Sequence, residues 1–124
     1  MQIHQSAEDY LETILMLTQR MGRVRSIDVV NELGYTKASV SIAMKKLREN
    51  GYIAVDGEGN LTLLEPGREI AERIYSRHRL LTHFFVQLGV DEEVAAEDAC
   101  KAEHILSEQT LEKIREYALL HDCL

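Results

Sequence analysis

Apolar residues recur at helical spacing near the start of the chain, and they predict a first helix over residues 6–21. Ser6, followed three positions later by Asp9, is an N-capping pattern, and Gly22 is a natural end. Asp9 and Glu12 lie off the apolar stripe, so the simplest expectation for both is a solvated face. The apolar positions of this helix are Tyr10, Leu11, Ile14, Leu15 and Leu17.

Two shorter helices follow, separated by a tight turn that contains glycine. The first covers residues 27–33, with Ser26 as its N-cap and Gly34 at its end. The second follows Thr36, which caps it, and runs to about Asn50. Two helices joined in this way are typical of a helix-turn-helix unit, in which the second is the recognition helix. The apolar residues that we expect to pack in this second helix are Val40, Ile42, Ala43 and Leu47.

Two apolar runs, residues 52–55 and 61–64, flank a polar glycine-rich turn at 56–60, and together they predict a β-hairpin. A hairpin directly after a recognition helix is typical of the wing of a winged-helix domain. Asp56 and Glu58 make its tip acidic, which argues against a strong contact with phosphate. The alternative is that the hairpin merely covers the core.

Three more helices are predicted in the second half of the chain. A long amphipathic segment starts at residues 65–67 and runs to about Leu88, with a proline suited to its first turn. Asp91 can cap the next helix, which runs to Leu106, and Ser107 begins the last one. These helices are too polar to close a large core alone, so we expect this half to pair with a second copy of the chain.

The fold class expected from these elements is mainly α with a small β-hairpin. We place a winged helix-turn-helix DNA-binding domain at residues 1–64 and a helical domain at 65–124. With 124 residues, 45% of them hydrophobic, the chain is long enough for a modest core. It has neither a long apolar span nor a basic-then-apolar leader, so we expect a cytoplasmic protein without a membrane partner.

The formal charge of −7 argues against a protein that coats nucleic acid without specificity. The charge is uneven, because residues 1–64 carry seven basic and eight acidic residues and residues 65–124 carry seven and thirteen. The segment from Lys37 to Arg48 has four basic residues and no acidic one. We therefore expect a DNA-contacting surface formed by Arg25, Thr36, Lys37, Ser39, Val40, Ser41, Lys45 and Lys46.

Cys100, Glu103 and His104 form the most distinctive chemical group in the chain. If the segment is helical, the thiol, carboxylate and imidazole project from one face within a turn, and transition metals accept all three donor types. Asp9 with Glu12 and His78 are candidates for the missing ligands. Taken singly, each of these residues is more often structural or solvated than a ligand, so the three groups count only if the fold brings them together.

Four segments in this order resemble the diphtheria toxin repressor family of metal-dependent transcriptional regulators, and the chain is similar to its manganese transport regulator branch, which lacks an SH3-like domain. The first two are Glu8–Ile14 and Gly51–Ile53, which leads to the predicted wing. The others are Tyr75–Leu81 and Cys100–Ser107. The resemblance implies a homodimeric repressor that binds double-stranded operator DNA when Mn²⁺ or Fe²⁺ is loaded. Carried over by position, the implied ligands are Asp9, Glu12, His78, Cys100, Glu103 and His104.

The implied ligand set differs from both branches of that family at one position each. The manganese branch has a carboxylate where Cys100 stands, and the iron-responsive branch has a methionine where Asp9 stands. Hard oxygen donors suit Mn²⁺, while a thiolate raises the affinity for Fe²⁺, Co²⁺ and Zn²⁺. We expect one primary ion per subunit, Mn²⁺ or Fe²⁺, with Zn²⁺ and Co²⁺ also binding in vitro. We expect no SH3-like domain beyond Leu124.

Two other functions compete with a metal-dependent regulator of manganese or iron homeostasis. In the first, a metal-independent winged-helix regulator senses an organic ligand or thiol redox state through Cys100. In the second, a metallohydrolase uses Glu103 as general base. The chain has no His-Glu-x-x-His motif, nucleophile pattern or glycine-rich phosphate loop, so we expect neither an enzyme nor a small-molecule substrate.

Overall fold

The computed structural model describes residues 5–121, which form six helices and one two-stranded sheet. The mainly α fold class with a small β-hairpin is confirmed. No helix in this part of the chain is long and apolar enough to cross a membrane. The elements in order are α1 Gln5–Met21, α2 Ser26–Leu33, α3 Lys37–Glu49, β1 Ile53–Val55, β2 Leu61–Leu63, α4 Glu65–Gln87, α5 Glu92–Ala102 and α6 Glu108–His121.

The described residues pack as two compact units, of which the first ends at Glu72 and the second begins at Arg73. The division falls inside α4. The domain boundary expected at Leu64 and Glu65 stays a prediction. Each unit has buried apolar residues of its own.

The first unit is built on α1, which packs against α2, α3 and β2. Its helix already includes Ser6, so Ser6 lies within the first turn and not before it as the capping pattern suggested. The α1 residues that the sequence assigned to the core are all buried. The unit's buried apolar residues are Tyr10, Leu11, Ile14, Leu15, Leu17, Val24, Val29, Val40, Met44, Leu47, Ile53, Leu61, Leu63 and Ala71.

The helix-turn-helix is closed by the contacts that its turn residues make. Gly34 adopts a left-handed conformation with φ 73°, and its N–H donates to the Val30 carbonyl at 2.8 Å. The Thr36 hydroxyl accepts from the N–H of Ser39 at 3.1 Å, as the sequence predicts for an N-cap. α2 starts one residue earlier than expected, so its N-cap is Arg25 and not Ser26.

The hairpin is antiparallel, with Ile53 opposite Leu63 and Val55 opposite Leu61. Its second strand is also held on the other side, because the Leu61 N–H donates to the Val24 carbonyl at 2.7 Å. The hairpin predicted from the sequence is thus confirmed, and it is anchored to the segment that precedes α2.

Gly67, in the first turn of α4, is a point of close backbone approach. A Cβ at this position would clash with the carbonyl oxygen of Tyr52 and lie 3.3 Å from Cδ2 of Leu11. Only glycine fits there without a shift of backbone. The start of α4 is therefore fixed against the residue that precedes β1.

The second unit contains α5, α6 and the part of α4 from Arg73 onward, around a small apolar cluster. Leu81, Ala99 and Leu111 are its buried centre, contributed by α4, α5 and α6 respectively. Partly buried residues packed against them are Leu80, Phe85, Ala102, Leu106 and Ile114. The unit is small, and its three helical segments share one small apolar core.

The expected extension of α5 to Leu106 is wrong, because the helix ends at Ala102. The N–H groups of Ile105 and Leu106 both donate to the Ala102 carbonyl, at 3.1 and 3.2 Å, so the chain tightens into turns. Ser107 then caps α6, with its hydroxyl accepting from the N–H of Thr110 at 3.1 Å.

Candidate functional site

A carboxylate lies between two imidazoles in the second unit. Nδ1 of His78, on α4, is 2.9 Å from Oε2 of Glu103, and Nε2 of His104 is 3.4 Å from the other oxygen, Oε1. The Glu103 side chain is fully buried, whereas the side chains of His78 and His104 are 22% and 1% exposed. The structure thus brings together three of the six predicted ligands.

The local backbone explains how Glu103 enters this position although α5 has ended. Its N–H donates to the Ala99 carbonyl at 2.9 Å, and its own φ of −60° and ψ of −23° remain helical. Glu103 therefore keeps the helical spacing from Cys100 that the sequence predicted, while His104 lies in the turn beyond the helix.

The Glu103 carboxylate is suited to bind a cation. Burying a negative charge is costly unless it is paired and hydrogen-bonded. Among the residues that the structure describes, Oε1 of Glu103 accepts no hydrogen bond. Each imidazole nitrogen lies beside a different oxygen of this carboxylate, and carboxylate oxygens and imidazole nitrogens are donors that divalent transition metals accept.

Cys100 lies one helical turn before this carboxylate. Its Sγ is within 4.8 Å of a Glu103 carboxylate oxygen, and the residue is exposed on α5. A thiol placed here is open to solvent and close to an acidic ligand. Its membership of the ligand set stays a prediction.

Arg77 supports the Glu103 turn, which was not foreseen from the sequence. Its Nη1 donates to the Glu103 carbonyl at 3.2 Å, and its guanidinium also pairs with Glu108 at the start of α6. One side chain from α4 thereby joins the end of α5 to the beginning of α6. The only signal in the sequence was its position directly before His78.

Asp9 and Glu12 lie on α1 of the first unit. Glu12 is buried, with 6% of its surface exposed, and Asp9 is half-buried. The expectation of a solvated face is therefore wrong for Glu12. Whether these two carboxylates belong to the ligand set stays a prediction.

The recognition helix α3 presents most of the expected contact residues to solvent, with one exception. Val40 is fully buried, so its side chain cannot reach a base edge, and its assignment to the contact surface is wrong. The helical period explains the error, because Val40 shares one face with the buried Met44 and Leu47. The exposed members of the expected set are Arg25, Thr36, Lys37, Ser39, Ser41, Lys45 and Lys46, whose DNA contacts stay a prediction.

Arg25 has a structural role that the sequence did not suggest. Its Nη2 donates to the Glu58 carbonyl in the wing, its N–H donates to Asp28 Oδ2 at 2.9 Å, and its backbone forms a bridge with Asn60. These contacts join the N-terminus of α2 to the wing. Its guanidinium is therefore occupied by the wing backbone.

Two family models match the chain, one for each half. The model described as the N-terminal DNA-binding domain of iron-dependent repressors matches residues 2–61, and that of the metal-binding and dimerisation domain matches residues 64–119. The chain belongs to the iron-dependent repressor family. The family resemblance predicted from the four sequence segments is thereby confirmed.

Relatives and a solved structure agree with this membership of the iron-dependent repressor family. An uncharacterised helix-turn-helix regulator of Methanocaldococcus jannaschii is 36% identical over 113 residues, which are 90% of each chain. The regulator MntR of Bacillus subtilis is 35% identical over 109 residues, 88% of this chain and 77% of its own. A manganese-dependent transcriptional repressor solved with manganese has a TM-score of 0.82 and 28% identity, over 90% of this chain. This chain spans about half of that structure, 51% of its length.

These findings decide the class of protein. The chain is a metal-dependent DNA-binding transcriptional regulator and not an enzyme. The metallohydrolase alternative is therefore set aside.

Proposed function

We propose that the chain is a homodimeric repressor that controls manganese or iron homeostasis by binding operator DNA when its metal site is loaded. The observation that carries the proposal is the buried Glu103 carboxylate between His78 and His104. The solved structure named as a manganese-dependent transcriptional repressor supplies the analogy for the metal and for repression. Because operator DNA is its target, we place it in the cytoplasm.

The proposed ligands are Asp9 and Glu12 of the first unit together with His78, Cys100, Glu103 and His104 of the second. When bound, a divalent cation supplies the positive charge that offsets the clustered carboxylates. Glu103 holds the centre of the group, and Arg77 fixes the backbone from which it projects. The imidazoles orient the two carboxylate oxygens.

The composition of this ligand set favours Mn²⁺ or Fe²⁺ as the resident ion. Three carboxylates are hard donors of the kind that Mn²⁺ accepts, and a thiolate shifts preference toward Fe²⁺, Co²⁺ and Zn²⁺. Cys100 is a thiol where a carboxylate would supply a second oxygen, so we propose one primary ion per subunit. Zn²⁺ and Co²⁺ are expected to bind in vitro.

Ligands contributed by both units would couple metal binding to DNA binding. The affinity of the site then depends on the arrangement of the winged-helix unit, and by linkage the ion favours that arrangement in return. A coupling of about 1–3 kcal/mol changes operator affinity roughly 5–150-fold. Without the ion, the carboxylates repel one another and weaken the arrangement.

The second unit also carries features suited to a dimer interface. Its core is small, and α6 exposes Tyr117, Leu119 and Leu120, at 50%, 63% and 80% of their surfaces. A symmetric pair would cover this apolar surface and present two recognition helices to a two-fold-related DNA site. Operator DNA and a second copy of the chain are thus the proposed partners.

The test is fluorescence anisotropy of the full chain on DNA from its own promoter region, titrated with Mn²⁺, anaerobic Fe²⁺ and Zn²⁺ against a chelated control. We expect binding to be about 5–150-fold tighter with the activating ion. Asp9→Asn tests the coupling, because the second unit keeps its own donors and can still bind the ion. We expect this variant to bind the ion more weakly and to lose most of the metal-dependent gain on DNA.

A second variant addresses the choice of metal. Cys100→Glu replaces the soft donor by a hard one, so we expect its response to move toward Mn²⁺ and away from Zn²⁺. DNA binding that ignores both metal and chelator would reject the proposal in favour of the metal-independent regulator.

A further inference from the structure

The outward face of α3 carries an isoleucine at its centre. Val40, Met44 and Leu47 point into the first unit and are at most 4% exposed, whereas Ile42 is 58% exposed. At 3.6 residues per turn, Ile42 stands about 200° around the helix from Val40. The helical pattern of α3 predicted that Ile42 packs, and the structure places its side chain in solvent instead.

The residues around Ile42 are those of a nucleic-acid contact surface. Ala38 lies one turn earlier on the same face, Lys45 lies one turn later, and Ser41 is adjacent, all of them exposed. α3 has no acidic residue before Glu49, its last position. A large apolar side chain is thus surrounded by small, hydroxyl and cationic ones on the helix that a helix-turn-helix inserts into the major groove.

We propose that Ile42 is a specificity-determining residue that contacts the 5-methyl group of a thymine in each half-site of the operator. This inference rests on the proposed function, because it assumes that α3 enters the major groove of operator DNA. Thymine is the base that presents a methyl group there, and apolar side chains recognise it by contact. Lys45 and Ser41 then hold the helix against the backbone beside that base.

The chemistry of isoleucine limits what this position can read. Its side chain has no hydrogen-bond donor or acceptor, so it cannot satisfy the amino group of cytosine or adenine or the acceptors of guanine. Placing it against those groups would leave them without water or a partner, which is unfavourable. Ile42 therefore favours thymine by apolar contact with its methyl group and disfavours a base that presents only polar groups at that point.

The test uses duplexes selected from a randomised pool by the full chain in the presence of Mn²⁺. Each thymine of the selected site is replaced in turn by deoxyuridine, which differs from thymine in lacking the methyl group. We expect one replacement per half-site to weaken wild-type binding about fourfold, the effect of one buried methylene-sized group. If no replacement changes the affinity, the proposal is rejected.

A double-mutant cycle assigns the effect to Ile42. Ile42→Ala should weaken binding to the thymine duplex by about the same factor and should bind the deoxyuridine duplex as the wild type does. Ile42→Gln should also lose its sensitivity to the methyl group, because an amide favours adenine. Variants that keep the full thymine preference would overturn the assignment.

Two control variants separate this contact from other losses. Ile27→Ala removes another exposed isoleucine, on α2, and should keep the full sensitivity to deoxyuridine. Lys45→Ala should weaken binding to both duplexes equally and reduce the salt dependence of binding.

The same experiment distinguishes failure of the role proposed for Ile42 from failure of the proposed function. A pool that yields no enriched sequence with Mn²⁺ or with anaerobic Fe²⁺ would reject the proposed metal-activated operator binding. Enrichment without a methyl-dependent position would reject only the role of Ile42.

Discussion

His78 and Glu103 meet at 2.9 Å although they are twenty-five positions apart and lie on different elements. The contact joins α4 to the turn after α5, and it places one oxygen of a fully buried carboxylate beside an imidazole. A second imidazole, from His104, approaches the other oxygen. This group is part of the proposed metal centre, to which the second unit would also contribute Cys100.

The first prediction concerns the charge of Glu103. Glu103→Gln keeps the shape of the side chain but removes the negative charge, so we expect metal affinity to fall about tenfold or more. The apo protein should be as stable as the wild type or more so, because a neutral amide replaces a buried carboxylate whose Oε1 accepts no hydrogen bond among the described residues. Calorimetric titration with Mn²⁺ and thermal unfolding with and without the ion measure both effects.

Glu97→Gln is the matched control, since it removes the same charge from an exposed position on α5. It should bind Mn²⁺ as the wild type does. At an Mn²⁺ concentration 100 times the wild-type Kd, the ion should stabilise the wild type and the control by about 2.7 kcal/mol. It should stabilise Glu103→Gln by much less. Equal stabilisation of all three proteins would contradict a ligand role for Glu103.

The second prediction is that Arg77 positions the metal-binding turn. Arg77→Ala removes the donor to the Glu103 carbonyl and the partner of Glu108, so we expect metal affinity to fall about tenfold. Arg77→Lys should restore the charge pair but not the additional backbone bond, and should recover only part of the affinity. Titration of each variant with Mn²⁺ measures the loss.

Arg115→Ala is the control for Arg77, because Arg115 pairs with Glu112 on the exposed surface of α6. Exposed pairs contribute about 0–1 kcal/mol, so this variant should keep its metal affinity. If Arg77→Ala lowers the melting temperature but leaves the metal affinity unchanged, Arg77 is a structural residue and not a positioning residue.

The third prediction concerns the close approach at Gly67. Alanine normally stabilises a helix by about 1 kcal/mol relative to glycine. Here the added Cβ would clash with the Tyr52 carbonyl, so we expect Gly67→Ala to destabilise the protein by about 1–3 kcal/mol. Urea unfolding followed by circular dichroism measures the free energy of unfolding.

Gly57→Ala is a suitable comparison, because a Cβ at Gly57 meets no atom within 4 Å. Its free energy of unfolding should change by less than about 0.5 kcal/mol. Should Gly67→Ala prove as stable as the wild type, the backbone contact between α4 and Tyr52 would be looser than the structure indicates.

The fourth prediction concerns the pH dependence of the wing. The backbone N–H of Asn60 hydrogen-bonds to the Asp56 carboxylate at 2.9 Å, and with the Asn60 amide and the N–H groups of Glu58 and Gly59 it lowers the pKa of Asp56. A folded-state pKa below the unfolded value of about 3.9 stabilises the turn above that pH. The stabilisation is lost as pH falls through the lower, folded-state pKa.

We therefore expect the amide resonances of Glu58 and Asn60 to shift together on acidification below about pH 4. Asp56→Asn keeps an acceptor for the turn but does not titrate there, so its amide resonances should not show this transition. Amide shifts in Asp56→Asn that follow the same curve as the wild type would assign the transition to another group.

Much of the local structure could be predicted from the sequence. The cap at Thr36, the start of the last helix at Ser107 and the end at Gly34 were correct because each depends on one side chain or one backbone conformation. The end of α5 was not, since Leu106 continues the apolar pattern after the helical hydrogen bonds have stopped at Ala102. Periodicity reports which residues are apolar, and not which backbone groups pair.

The sequence by itself determined the element order, the winged helix-turn-helix and the six candidate ligands, because these depend on spacing and residue chemistry along the chain. Tertiary structure decided which side of α3 faces inward: it buried Val40, which had also been assigned to the contact surface, and it exposed Ile42, which had been assigned to packing. It also brought Arg77 to the Glu103 carbonyl. These relationships depend on how separate elements pack, and one residue's position along the chain does not specify the surface that another element will cover.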